Sequence, residues 1–137
     1  MKVQQAILIS TVLIGALLGP VRSTLAHHSR AGFNVSKNET YRGIVKEYRW
    51  QNPHCHIVIA GTDTDTSKVA TWDVEASSIS LMTSMGWNPT SLKAGDPITV
   101  VAHPSVNGSK DLLLFYLVKA DGTRLYRATH RYPSEAD

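Results

Sequence analysis

The stretch KVATWDVEASSISLMTSMG, residues 68–86, changes its hydrophobic period halfway along. Its first eight residues alternate between an apolar and a mostly polar face, which predicts a half-buried strand over residues 68–75. The apolar residues then recur every third position, after a serine that can cap a helix and before a glycine suited to its end. The stretch therefore predicts a strand followed by a short helix over residues 78–85.

Four further strand patterns flank this stretch, at residues 41–50 and 56–61 before it and at 98–103 and 111–119 after it. A short return strand over residues 124–127 follows a turn signal. Three strands, one helix and two strands is the order of the five-stranded Greek-key OB barrel. This OB-like barrel is the predicted fold, and a β-sandwich is the alternative, against which the single helix counts. Gly43 inside the first strand predicts a bulge or sharp bend.

The first 26 residues predict a cleaved signal peptide. A basic start precedes an apolar run of about 13 residues, short of the roughly 20 that span a bilayer. Thr24 and Ala26 are small, so cleavage is expected after Ala26, with no lipoprotein anchor and no stable membrane insertion afterwards. The sequence thus predicts a protein of the periplasm, or a secreted one.

Cleavage there leaves residues 27–137 as a single domain, with an N-terminal arm over 27–40 and a frayed tail from His130. It removes Lys2 and Arg22 and no acid, so 12 basic residues of the original 14 face 11 acidic ones. That near balance argues against a nucleic-acid partner. The single cysteine, Cys55, has no intramolecular disulfide partner and is expected to be a small buried hydrophobe.

Four histidines are candidate metal ligands. His27 and His28 would begin the cleaved chain, where an amine beside an imidazole chelates Cu(II). On an extended chain His54 and His56 point to one side and Cys55 to the other. A structural zinc site usually draws on paired cysteines, which this chain lacks. The expectation is a copper-like ion bound by His27, His28 and His54, with His56 as a further ligand. The alternative is that one loop histidine hydrogen-bonds within the turn and the other faces solvent.

Two loops, residues 51–54 and 104–110, would border the usual ligand face of an OB barrel. The residues predicted on that face are Trp50, Asn52, Trp72 and His103, with packing of the tryptophans in the core as the alternative. If the histidines are incidental, this face would serve a periplasmic protein-interaction or small-organic-ligand module without metal.

Enzymatic activity is not expected. Asp73 and Glu75 share a strand face but have no accompanying nucleophile motif, so they are expected to be solvated and paired with Lys46 or Arg49. An enzyme with an N-terminal-histidine copper centre is a third, disfavoured hypothesis. The strand over residues 111–119 is apolar on both faces. Its outer face must be covered by the arm, the helix or a partner chain, which leaves a homodimer open.

Several short motifs also resemble a known family. They are AHHS (26–29), GIV (43–45), WQNPH (50–54), WDVE (72–75), GW (86–87) and LKAGD (92–96). In this combination the chain resembles a family of small exported bacterial proteins classed only as a domain of unknown function. It departs from the pattern at Arg30 and at Cys55 and His56, where members often carry aromatic residues. The resemblance implies export and a small β domain, and it brings no activity.

Overall fold

The computed structural model describes residues 31–128. The predicted signal peptide, His27, His28 and the predicted tail lie outside the described residues. Between residues 31 and 128, no helix has the length and apolar character needed to cross a bilayer.

Residues 31–128 form six strands and one short helix. In chain order these are β1 (Glu39–Arg49), β2 (His56–Asp63), β3 (Val69–Glu75), α1 (Ile79–Ser84), β4 (Pro97–Pro104), β5 (Asp111–Lys119) and β6 (Arg124–Tyr126). The predicted order of three strands, a helix and two strands is confirmed. β1 starts earlier than predicted, because Glu39 and Thr40 already pair with β4.

The strands close into a barrel. β1 pairs antiparallel with both β2 and β4, β2 pairs with β3, and β4 pairs with β5. A parallel pairing between β3 and β5, from Asp73 opposite Asp111 to Glu75 opposite Leu113, completes the circuit. The predicted five-stranded OB-like barrel is confirmed and the β-sandwich alternative is wrong. β6 pairs with β5 outside the five-stranded circuit.

The core lies inside the barrel and under α1. In β3, Trp72 and Val74 are buried, whereas Asp73 and Glu75 remain partly exposed, as the alternation predicts. The Trp72 ring packs against Tyr41 with 4.8 Å between ring centroids. α1 contributes Met82, which is fully buried. Each such large apolar side chain contributes about 1.5–3 kcal/mol when fully buried.

The irregularity predicted at Gly43 lies elsewhere. The register of β1 against β2 shifts between Val45 and Glu47. Gly43 instead lies opposite Gly61, where a Cβ on Gly43 would lie 2.5 Å from the Ala60 carbonyl oxygen. The glycine is therefore needed for close approach of two strands.

The outer face of β5 is covered by the chain itself. Phe115 stacks on His103 at 5.9 Å between centroids, and Tyr116 packs against Tyr126 of β6 at 5.4 Å. The arm is anchored nearby, because Phe33 forms a β-bridge with Ser105. Contacts within the chain therefore cover the apolar outer face of β5. The homodimer stays a prediction.

Candidate functional site

Two histidines and two carboxylates lie on the outer face of β3, the start of β2 and the residues that lead into β2. The antiparallel register sets His56 opposite Glu75, which places Asp73 diagonally across from His56. His56 Nδ1 lies 2.7 Å from Asp73 Oδ1, and His54 Nδ1 lies 2.9 Å from Glu75 Oε1. These four residues, His54, His56, Asp73 and Glu75, are called the His–carboxylate face below.

Arg49 extends this face at one end. Its Nη2 donates a hydrogen bond to Asp73 Oδ2 at 2.9 Å, so Asp73 lies between a guanidinium and an imidazole. Of the two partners predicted for the carboxylates, Arg49 is confirmed. Because both side chains are about one-third exposed, the pair contributes about 1 kcal/mol or less to stability. Its effect is to hold Asp73 in place beside His56.

Glu75 is the more enclosed carboxylate, with 17% of its side chain exposed. His54 approaches Oε1 closely, yet the contact is not aligned as a hydrogen bond. Oε1 therefore has no hydrogen-bond partner among residues 31–128. A buried carboxylate oxygen without a hydrogen-bond donor is stabilised by a positive charge nearby.

Three members of the His–carboxylate face, His56, Asp73 and Glu75, form one wall of a cleft of about 320 Å³, whereas His54 is not among its lining residues. Gly32 and Phe33 of the arm, together with the loop from Ser105 to Ser109, line the same cleft, and Asp111 joins Asp73 and Glu75 there. A lining with three carboxylates attracts cations. Within the described range, however, no three His, Cys, Asp or Glu side chains are arranged to hold a metal ion by themselves. A metal in this cleft would need ligands from elsewhere.

Cys55 points away from this face and is fully buried. Its amide donates to the Ser77 carbonyl and its carbonyl accepts from the Ala76 amide, both at 2.8 Å. Burial raises the pKa of the thiol, with partial opposition from a backbone hydrogen bond at Gln51. The predictions that Cys55 is a buried hydrophobe and that it lies opposite His54 and His56 are confirmed.

The four residues predicted for the ligand face lie in different environments. Trp72 is a core residue, and His103 is buried with Nδ1 2.9 Å from the Lys37 carbonyl oxygen. Trp50 is half-buried beside Tyr48. The Asn52 side chain accepts a hydrogen bond from the Ile79 amide, at the start of α1. β3 directs Trp72 into the barrel, which is the core-packing alternative for this tryptophan.

A second and larger cavity, of about 670 Å³, lies at the mouth of the barrel and was not predicted from the sequence. Glu39, Tyr41, Lys68 and Trp72 line it. The Glu39 carboxylate accepts hydrogen bonds from the Tyr41 hydroxyl and from Lys37. Burial, together with this bond to Glu39, raises the pKa of Tyr41 well above its ordinary value. The sequence feature that could have indicated this pair is the spacing of Glu39 and Tyr41, which are two residues apart and therefore share the inward face of β1.

Residues 16–113 match a family described as a family of unknown function (DUF6152). The chain belongs to that family. The match runs through β1, β2, β3, α1 and β4 into β5, and so includes the whole His–carboxylate face. Neither the comparison with curated proteins nor the comparison with solved structures returns a match. Because the family carries no assigned activity, function must be argued from the geometry of the site.

Proposed function

We propose that this is an exported, non-enzymatic protein that binds a copper-like metal ion between its mature N-terminus and the His–carboxylate face. One observation carries the proposal. Gly32 and Phe33, where the described chain begins to pack on the barrel, line the same cleft as His56, Asp73 and Glu75. The segment just upstream of these arm residues would hold the predicted N-terminal histidines.

The distances along the chain support this assembly. After cleavage at Ala26, His28 would lie four residues before Gly32. Four extended residues span at most about 13–14 Å, so His28 would lie within that distance of Gly32 at the cleft. The free amine and the imidazoles of His27 and His28 would supply nitrogen ligands of the kind that Cu(II) prefers.

The orientation of the loop histidines supports it as well. Both His54 and His56 use Nδ1 toward their carboxylates, so Nε2 is the nitrogen left to bind a metal. A carboxylate at the other ring nitrogen fixes the ring and makes the ligand more basic, an arrangement common around protein-bound metals. Asp73 would therefore act as a supporting group for His56 rather than as a ligand, whereas Glu75 would contribute its negative charge beside His54 without a hydrogen bond to it.

The first test is the identity of the mature N-terminus and its affinity for copper. Intact-mass analysis of the exported protein should give His27 as the first residue. Cu(II) titration followed by visible absorption should then show one tight site. His54→Ala and His56→Ala each weaken binding by more than tenfold, and Asp73→Asn by about tenfold through loss of ring orientation.

Two matched controls accompany this test. A chain that retains Ala26 ahead of His27 keeps every histidine but displaces the terminal amine, and it should bind copper much more weakly. Asp121→Asn removes a carboxylate from the turn between β5 and β6 and should change nothing. A different first residue, or unchanged affinity in both histidine variants, would refute the proposal and favour the metal-free interaction or small-organic-ligand module.

A further inference from the structure

We infer that the cavity at the barrel mouth binds a small monocarboxylate with an apolar body. Its volume of about 670 Å³ falls within the range of small-molecule sites, about 300–1,000 Å³. Tyr41, Trp72 and Leu112 contribute apolar surface, and Lys68 contributes a positive charge. An apolar lining with a few polar groups is typical of such sites.

The indole of Trp72 provides the decisive observation. Trp72 is 4% exposed, and its Nε1 is buried without a hydrogen-bond acceptor among residues 31–128. Buried tryptophan N–H groups usually have a partner, and leaving one unpaired is unfavourable. Trp72 also lines the cavity, so an acceptor on a bound molecule would satisfy this N–H group once a small shift of the ring or its neighbours exposes Nε1.

The lining holds two lysines and two carboxylates, so its formal charges balance, and Lys68 is the lysine left for an anionic acceptor. Lys68 Nζ lies 5.6 Å from the centroid of the Trp72 ring and forms no ion pair within the described part of the chain. The cavity's two buried carboxylates are already engaged, since Glu39 binds Lys37 and Tyr41, and Asp63 binds its own loop at Thr66. The available groups are thus one cation and one N–H donor, which together suit a carboxylate.

This site is independent of the proposed metal site. Trp72 and Asp73 are consecutive residues of β3 and therefore point to opposite faces of the sheet. The two clefts share residues of the loop from Ser105 to Ser109, but neither site uses a side chain of that loop as a ligand. Failure of copper binding would leave the carboxylate site unaffected, and the converse also holds.

The test compares hydrocinnamate with the corresponding neutral alcohol, hydrocinnamyl alcohol, by titration into the ¹⁵N-labelled protein. The carboxylate should shift the Trp72 indole N–H resonance at concentrations where the alcohol does not. Trp72→Phe keeps an aromatic ring and removes the donor, which should weaken binding about tenfold. Lys68→Gln should weaken it several-fold and remove most of its salt dependence.

Trp50→Phe and Lys46→Gln are the matched controls, since neither residue lines the cavity, and both should bind as the wild type does. If Trp72→Phe fails to fold, the wild-type indole shift and the Lys68→Gln titration still decide the question. Equal shifts from acid and alcohol would overturn the inference, as would a Trp72 resonance that hydrocinnamate leaves unmoved.

Discussion

At the residue scale, the extended chain that leads into β2 gives neighbouring side chains opposite environments. Cys55 is fully buried, while His54 and His56 on either side of it remain partly exposed. Burial raises the pKa of the Cys55 thiol, so at neutral pH the sulfur stays protonated and is neither a nucleophile nor a metal ligand. A protein with this arrangement can carry a cysteine in an oxidising compartment without forming intermolecular disulfides.

We expect Cys55 to resist a thiol-specific reagent such as Ellman's reagent in the native protein and to react fully after unfolding in guanidinium. Cys55→Ser should destabilise the fold by about 1–3 kcal/mol, because it places a hydroxyl in an apolar site. Cys55→Ala is the matched control, since it removes the sulfur without adding a polar group. Urea unfolding measures both, and rapid labelling of the native state would contradict this account.

At the element scale, the crossing of β1 and β2 depends on a pair of glycines. Gly43 and Gly61 are opposite one another, and a Cβ on either would lie 2.5 Å from a backbone carbonyl oxygen of the other strand. Backbone atoms in a paired strand cannot move aside as a flexible side chain can. The close approach therefore holds the two strands at a spacing that larger residues would prevent.

Gly43→Ala should consequently lower the free energy of unfolding by about 1–3 kcal/mol, the usual cost of overpacking. Gly32→Ala is the matched control, because its added Cβ meets nothing within 4 Å and should change stability by less than about 0.5 kcal/mol. Denaturant unfolding followed by circular dichroism measures both variants. If the two variants are equally stable, β1 and β2 can move apart to accommodate the added Cβ without loss of stability.

The elements that could be predicted are those whose signal is local. The change of period after Glu75 predicted β3 and α1, and Ser78 indeed caps the helix by accepting a hydrogen bond from the Leu81 amide. Alternation also predicted that His54 and His56 share a face. Their pairing with Asp73 and Glu75 depends on the register between strands, which no local pattern specifies. The barrel-mouth cavity could not be predicted either, because it also depends on how the strands pair.

At the scale of the whole molecule, β6 lies outside the five-stranded circuit but contacts the segment around α1. Trp87 Nε1 donates to the Tyr126 carbonyl at 2.7 Å, and Arg127 Nε donates to the Ala76 carbonyl at 3.2 Å. Leu125 packs against the core. These contacts join the end of the described chain to the segment around α1, which no β-ladder fixes.

A chain that ends at Thr123 should therefore be less stable by about 3 kcal/mol, from two hydrogen bonds of about 1 kcal/mol each and the lost packing of Leu125. For a domain of this size the melting temperature should fall by about 12–24 °C. A chain that ends at Ala128 is the matched control. It keeps β6 and Arg127 and removes the predicted tail, and we expect it to melt within a few degrees of the full chain, because chain termini usually contribute little to stability. Calorimetry of the three chains decides the matter. If the shorter truncation melts with the full chain, β6 is an appendage and the cover of α1 must come from elsewhere.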